Sequence, residues 1–241
     1  MEKIKWLAVF FLLVLFVNQE VFAANGRGSD EDRYMRIRIL NLASGSEFIT
    51  TERGEESEFV EGSKTFGFST YFIARNGLGG GLTPLITTFT QAPKKSPGET
   101  EYVYTESYSA ATSFVDVIVT IGNQFTFSIG AGSLASGEIV NNVTYSDDYK
   151  QFIEGSYGVT LENEVIKSKS IRGSSIIAMA GYTVKNFEIL IGYRSNYIKA
   201  VMDLKDSSAA PLLLQLDPDT NYEEEVIIES TQAAIGIGVL F

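Results

Sequence analysis

Five charged residues sit at strand-like spacing among apolar neighbours. Arg36 and Arg38 alternate with Met35, Ile37 and Ile39, Asp116 stands between Val115 and Val117, and Glu188 and Arg194 share one face of residues 186–197. In an extended chain successive side chains point to opposite faces, so all five project away from the apolar side of their segments. Three cations and two anions held in a narrow, poorly hydrated space have to pair, because an isolated buried charge is costly. Such a set can form a gated polar conduction path, or a plug of ion pairs that fills the space. The interior of a small barrel is just wide enough for side chains, which favours the plug.

The same inventory excludes other chemistry. The chain has no histidine and no cysteine. No Ser–His relay can be built, and neither a disulfide nor a thiolate metal site is available. No Ser–Lys or carboxylate constellation stands out, so the expectation is no enzyme, no catalytic residue, no cofactor and no metal ligand. The net charge of −11 makes nucleic acid a poor partner, since phosphate contacts need Lys and Arg.

Acidity is concentrated in two stretches. Residues 43–64 hold Glu47, Glu52, Glu55, Glu56, Glu58 and Glu61 against Arg53 and Lys64, and residues 205–225 hold Asp206, Asp217, Asp219, Glu223, Glu224 and Glu225 against Lys205. Soluble surface loops have this composition; bridging to lipopolysaccharide through divalent cations is the functional alternative. "DPDTNYEEE" (217–225) has the alternate-position oxygens of a calcium loop. It lacks the glycine such a loop needs, having Tyr222, and Ile228 occupies the place of the bidentate glutamate. "RNGLGGG" (75–81) has no Lys-Ser or Lys-Thr after it and reads as a tight turn.

The elements that position the five charges have a period of two. Eight strand segments are expected, at roughly 34–42, 65–76, 80–91, 103–121, 124–134, 171–184, 187–204 and 225–241, with no amphipathic helix competing. Connections alternate between short ("GLG", "GN", "KN") and long. Short Gly- and Asn-containing turns specify antiparallel hairpins, and an even number of strands puts both ends of the sheet on the short-turn side. In 124–132 Phe125, Phe127, Ile129 and Ala131 oppose Thr126, Ser128, Gly130 and Gly132. In the last segment Ile235, Ile237, Val239 and Phe241 oppose Gln232, Ala234, Gly236 and Gly238. The second face is mostly Gly, Ala, Ser and Thr. A water-washed exterior would carry Lys and Glu, so this face belongs inside and the apolar face outside, against lipid.

The first residues have a different character. Lys3 and Lys5 precede the uncharged run "WLAVFFLLVLFV" (6–17), and Val21 and Ala23 stand where a signal peptidase reads small residues. The run is too short to span a bilayer and suits a secretory signal. The expected organisation is a cleaved signal peptide at 1–23, a flexible polar lead-in at 24–33 and a barrel over 34–241.

"AAIGIGVLF" (233–241) closes the pattern on Phe241. With the strand period and the loop asymmetry, it resembles the small bacterial outer-membrane barrels typified by the OmpA membrane domain, OmpX and OmpW; no motif selects one of them. The resemblance implies an all-β, eight-stranded antiparallel transmembrane up-and-down barrel in the outer membrane, with four extracellular loops. It further implies that Phe241, with Val239 and Ile237, signals to the barrel-assembly machinery, and that lipid and lipopolysaccharide surround the barrel. The enzymes of that membrane which this chain resembles in size or location place a histidine in the active site, and here there is none. The expected function is a non-enzymatic barrel for envelope integrity or surface interaction. The alternative is a narrow pore or a lateral path for small apolar molecules.

Overall fold

The computed structural model describes residues 35–51, 64–90, 94–95 and 102–241. The signal peptide and the lead-in lie outside these residues, as do Glu52, Arg53, Glu55, Glu56, Glu58 and Glu61 of the first acidic stretch. Met35–Phe241 forms one compact unit.

Among the described residues nine strands run in chain order: β1 (Arg36–Thr51), β2 (Lys64–Ile73), β3 (Leu78–Thr90), β4 (Lys94–Lys95), β5 (Tyr102–Ile121), β6 (Phe125–Tyr145), β7 (Glu164–Val184), β8 (Phe187–Asp203) and β9 (Glu223–Leu240). All pairings are antiparallel, and the sheet order β3-β2-β1-β9-β8-β7-β6-β5 is closed by pairing of β3 with β5. The result is an up-and-down barrel of eight long strands, and the two-residue β4 extends the track of β3 along β5. Closure gives each of the eight long strands a neighbour on both sides, and the chain's end takes part in the ring. The Phe241 amide donates to the Met35 carbonyl (3.0 Å), and the Met35 amide donates to the Phe241 carbonyl (3.2 Å).

One end of the barrel has tight turns and the other has long excursions. The β2–β3 turn places Gly77 at φ +84° and the β5–β6 turn places Gly122 at φ +90°. A Cβ at Gly77 would also press on the Thr120 carbonyl. The β2–β3 ladder is interrupted: it runs from Lys64↔Thr88 to Gly67↔Leu85 and resumes at Thr70↔Leu82. Pro84, which has no amide hydrogen to give, lies at the interruption, and a hydrogen bond between Ser69 Oγ and Thr83 Oγ1 (2.8 Å) spans it on the inside.

The two faces of the wall separate by polarity. Ile37, Ile39, Phe72, Leu82, Val117, Phe127, Ile191 and Ile237 are exposed on the outside; the most exposed is Phe125 at 74%. Inside, Arg36, Arg38, Asp116, Glu188 and Arg194 are buried. The interior also carries more apolar bulk than the small residues of β6 and β9 suggest. Leu40, Ile73, Phe114, Ile118, Met179, Leu190, Ile198 and Ile228 are buried there. The reason is steric. Inward glycines make room for large neighbours: a Cβ on Gly192 would come within 2.7 Å of Met179 Cγ, and one on Gly236 within 2.9 Å of Leu40 Cγ.

Among the described residues two helices form, where the sequence reading expects none. α1 (Asp147–Tyr157) and α2 (Ala210–Leu216) lie in the long β6–β7 and β8–β9 connections. The α1 signals are local. Ser146 caps it by accepting from the Tyr149 amide (3.3 Å), Asp147 and Asp148 sit in the first turn, and Gly158 ends it at φ +66°. Ile153 of α1 and Leu212 of α2 pack together with Val159 and Leu161, and Ser208 hydrogen-bonds Glu162 and Glu164. Within this unit, burial and then the neighbouring Glu164 push the Tyr145 phenol above its ordinary pKa.

Candidate functional site

The lumen charges assemble into two layers. Near the turn end, Arg38 and Glu188 face each other from β1 and β8, two strands apart across β9. Arg38 Nε donates to Glu188 Oε2 (2.8 Å) and Nη2 to Oε1 (2.7 Å), a bidentate pair. The remaining donors are used as well: Arg38 Nη1 reaches Ser128 Oγ (2.7 Å) and Thr120 Oγ1 (3.2 Å), and Nη2 reaches Thr126 Oγ1 (3.2 Å). Thr126 in turn donates to Glu188 (2.5 Å). Two glycines seat this pair. A Cβ on Gly181 would lie 2.6 Å from Glu188 Oε1, and one on Gly238 would lie 2.8 Å from Glu188 Oε2.

The second layer stands further along the strands. Arg194 Nη1 donates to Asp116 Oδ2 (2.8 Å) and Nη2 to Oδ1 (3.2 Å) across the barrel from β8 to β5. Asp116 also accepts from Thr83 (2.6 Å), Tyr71 (3.1 Å) and Ser175 (3.2 Å). Arg194 Nε donates to Asn196 Oδ1 (2.7 Å), and its guanidinium carbon lies 5.0 Å from the centroid of the Phe114 ring. Asn196 extends the network to Gln232 (2.6 Å) and Ser230 (3.3 Å). A methyl group at Gly132 would overlap the Asp116 carboxylate.

Apolar residues separate the layers. Along β8, Leu190 lies between Glu188 and Arg194; along β5, Ile118 lies between Asp116 and Thr120; both are fully buried. Each layer holds one cation and one anion. Arg36 belongs to neither pair. Its Nη2 lies 3.4 Å from the Gly122 carbonyl and 3.5 Å from that of Asn123, reaching across the turn end, and its buried Nε has no partner among the described residues.

Of the five charged residues expected in the lumen, four meet as two ion pairs, with partners chosen by height along the strands. The hydroxyls and amides that complete the pairs, on Tyr71, Thr83, Thr120, Thr126, Ser128, Ser175 and Asn196, were not singled out by sequence. Their signal is parity: Thr126 and Ser128 share the inward face of β6, and Asn196 follows Arg194 at the next inward position. In the second acidic stretch, Asp217 and Asn221 accept from the amides of Asp219 and Glu223 (both 3.1 Å), so they organise turns. Among the described residues no group of three acidic, His or Cys side chains is placed to hold a metal ion.

Fold and lumen together define a closed, internally filled barrel with an apolar exterior. No protein-family model matches the chain, and no curated protein sequence does. Solved outer-membrane and surface barrels are similar to it. Neisserial surface protein A is 14% identical (TM-score 0.39), covering 86% of this chain and 96% of that one. Ail, the attachment invasion locus protein of Yersinia pestis, is 9% identical (TM-score 0.41), covering 85% and 99%. The outer-membrane protein OprG from Pseudomonas aeruginosa is 13% identical (TM-score 0.38), covering 87% and 96%.

Proposed function

We propose that this protein is a non-enzymatic barrel of the bacterial outer membrane, closed to ions, that serves envelope integrity or surface interaction. The observation that carries this reading is an apolar outer belt around a lumen crossed by two layers of paired, buried charges. From Phe187 to Tyr197 the outward face of β8 has only Ser195 as an interruption, and charge begins at Lys199. Ten residues of strand at 35–45° of tilt rise about 25 Å, the height of the apolar band of such barrels. Lys167, Lys169, Glu138 and Glu225 lie beyond the belt on the loop side, with Lys169 bonded to Glu223 (2.6 Å). The acidic β8–β9 connection and the α1–α2 unit then face the cell exterior. Phe241, with Val239 and Ile237, supplies the signal to the assembly machinery.

The test is planar-bilayer recording of the purified barrel. The expected record is the bare-bilayer baseline. A steady, ion-selective conductance would sink the sealed-lumen reading and favour the narrow pore. One observation supports a second reading, a lateral path for small apolar molecules: the interrupted β2–β3 ladder at Pro84. On that reading vesicles containing the protein take up a small apolar fluorophore faster than empty vesicles, and Pro84→Val removes the difference. Equal uptake by empty and loaded vesicles discards the lateral path.

A further inference from the structure

Among the described residues one carboxamide interrupts the interior of the outer belt. Asn41 of β1 is exposed, and nothing among the described residues hydrogen-bonds its side chain. Its cross-strand partners are Phe68 on β2 and Ile235 on β9, and Ile235 pairs with Ile191 on β8. Two ladder steps between strands tilted 35–45° offset the height by only about 6 Å, so Asn41 stands inside the apolar band. The next outward position on β1 is Ala43, which pairs with Phe66 and with Ala233; all three are exposed. Asn41, Ala43 and Ala233 form a shallow trough between the taller Phe66 and Phe68 on one side and Ile235 and Tyr193 on the other.

Acyl chains cannot satisfy a carboxamide. The group does, however, complement itself: it carries two N–H donors and a carbonyl acceptor, so two copies facing each other exchange two hydrogen bonds. All copies of a barrel share one orientation in the membrane, so the twofold axis that brings identical walls together runs along the membrane normal. Such an isologous contact puts the same patch on both sides, and a residue beside the axis meets its own equivalent. Small residues beside a polar group are what lets backbones approach within a bilayer.

We propose that the occupant of the trough is a second copy of this chain, docked wall to wall through β1 and β9, with Asn41 paired to the same residue of the second copy. The inference rests on the membrane-spanning reading above. The absence of native cysteine allows a clean test. Ala43→Cys, which keeps Asn41 in place, and Phe127→Cys are produced in membranes and treated with a short bismaleimide; Ala43 is exposed at the next outward position on β1, and Phe127 is exposed on β6, four strands around the ring from β1. The expected result is a species of twice the chain's mass from Ala43→Cys and none from Phe127→Cys. Asn41→Leu, which suits lipid and keeps the fold, is expected to weaken self-association by roughly tenfold when measured by energy transfer between labelled copies in vesicles. Equal cross-linking at both positions overturns the proposal. So does a cross-link from position 43 to a different protein, or unchanged association of Asn41→Leu. Recovery of both cysteine variants in the membrane fraction keeps these outcomes separate from failure of the membrane reading; a chain that stays soluble without detergent defeats both.

Discussion

Asp116 takes hydrogen bonds from Tyr71, Thr83, Ser175 and both terminal nitrogens of Arg194, so its removal leaves more than one group stranded. Asp116→Ala is expected to destabilise the barrel by about 3–5 kcal/mol, the cost of leaving one member of a buried ion pair alone. A urea refolding titration in lipid vesicles measures this. Replacing both partners, as Asp116→Leu with Arg194→Met, is expected to recover much of the loss, because the charge is then no longer stranded; no recovery would mean that the neighbouring hydroxyls, and not the charges, set the cost. Gly132→Ala tests the seat of the carboxylate and is expected to destabilise in the same assay, since its methyl meets Asp116. The charged residues were legible in the sequence because each interrupts an apolar alternation. Their hydroxyl partners were not, because a lumen serine that bonds an arginine and one that only fills space look alike along a strand.

At the scale of the element, three expected strands stopped short, each at a bulge. The first was expected to end at 42, and the β1–β9 register shifts between Ser44 and Glu47. The fifth was expected to end at 134, and the β5–β6 register shifts where Ser113 pairs with Ser136 and Phe114 with Leu134. The sixth was expected to begin at 171, and the β7–β8 register shifts between Ser168 and Ser170. A bulge inserts one residue and flips the parity of everything beyond it, so an alternation count ends there although the strand continues. Thus Thr126 and Ser128 point inward before the bulge, and Ile139, Asn141 and Val143 do so after it. The helices offer a prediction at this scale. Gly155 of α1 has open space around its Cβ position, whereas Gly158 holds a positive φ. Gly155→Ala is expected to stabilise α1 by about 0.5–1 kcal/mol and Gly158→Ala to weaken it. Hydrogen exchange of the α1 amides reads both signs, and slower exchange in Gly158→Ala would contradict the cap.

At the scale of the whole molecule the wall must present opposite chemistry to its two sides. Ile191→Arg, at the middle of the outer band, is expected to cost about 2–4 kcal/mol, and Phe241→Asp is expected to lower the assembled fraction. Both are read by heat-modified gel mobility of membrane-inserted protein; variants that assemble like the unaltered chain would mean that the outer face is misassigned. The inner face is no more tolerant at this level. A serine at Gly192 first looks harmless in a lumen lined with small residues, but its Cβ would lie 2.8 Å from the Ala178 carbonyl, so Gly192→Ser is expected to destabilise as well. The sequence by itself determined the strand period, the antiparallel order of hairpins and which face turns outward, because these depend on alternation and turn residues within a few positions of one another. The tertiary structure alone decided which charges pair, which glycines seat them and where Asn41 stands in the belt, because those depend on register and on residues meeting across a closed ring, up to 150 positions apart for Arg38 and Glu188.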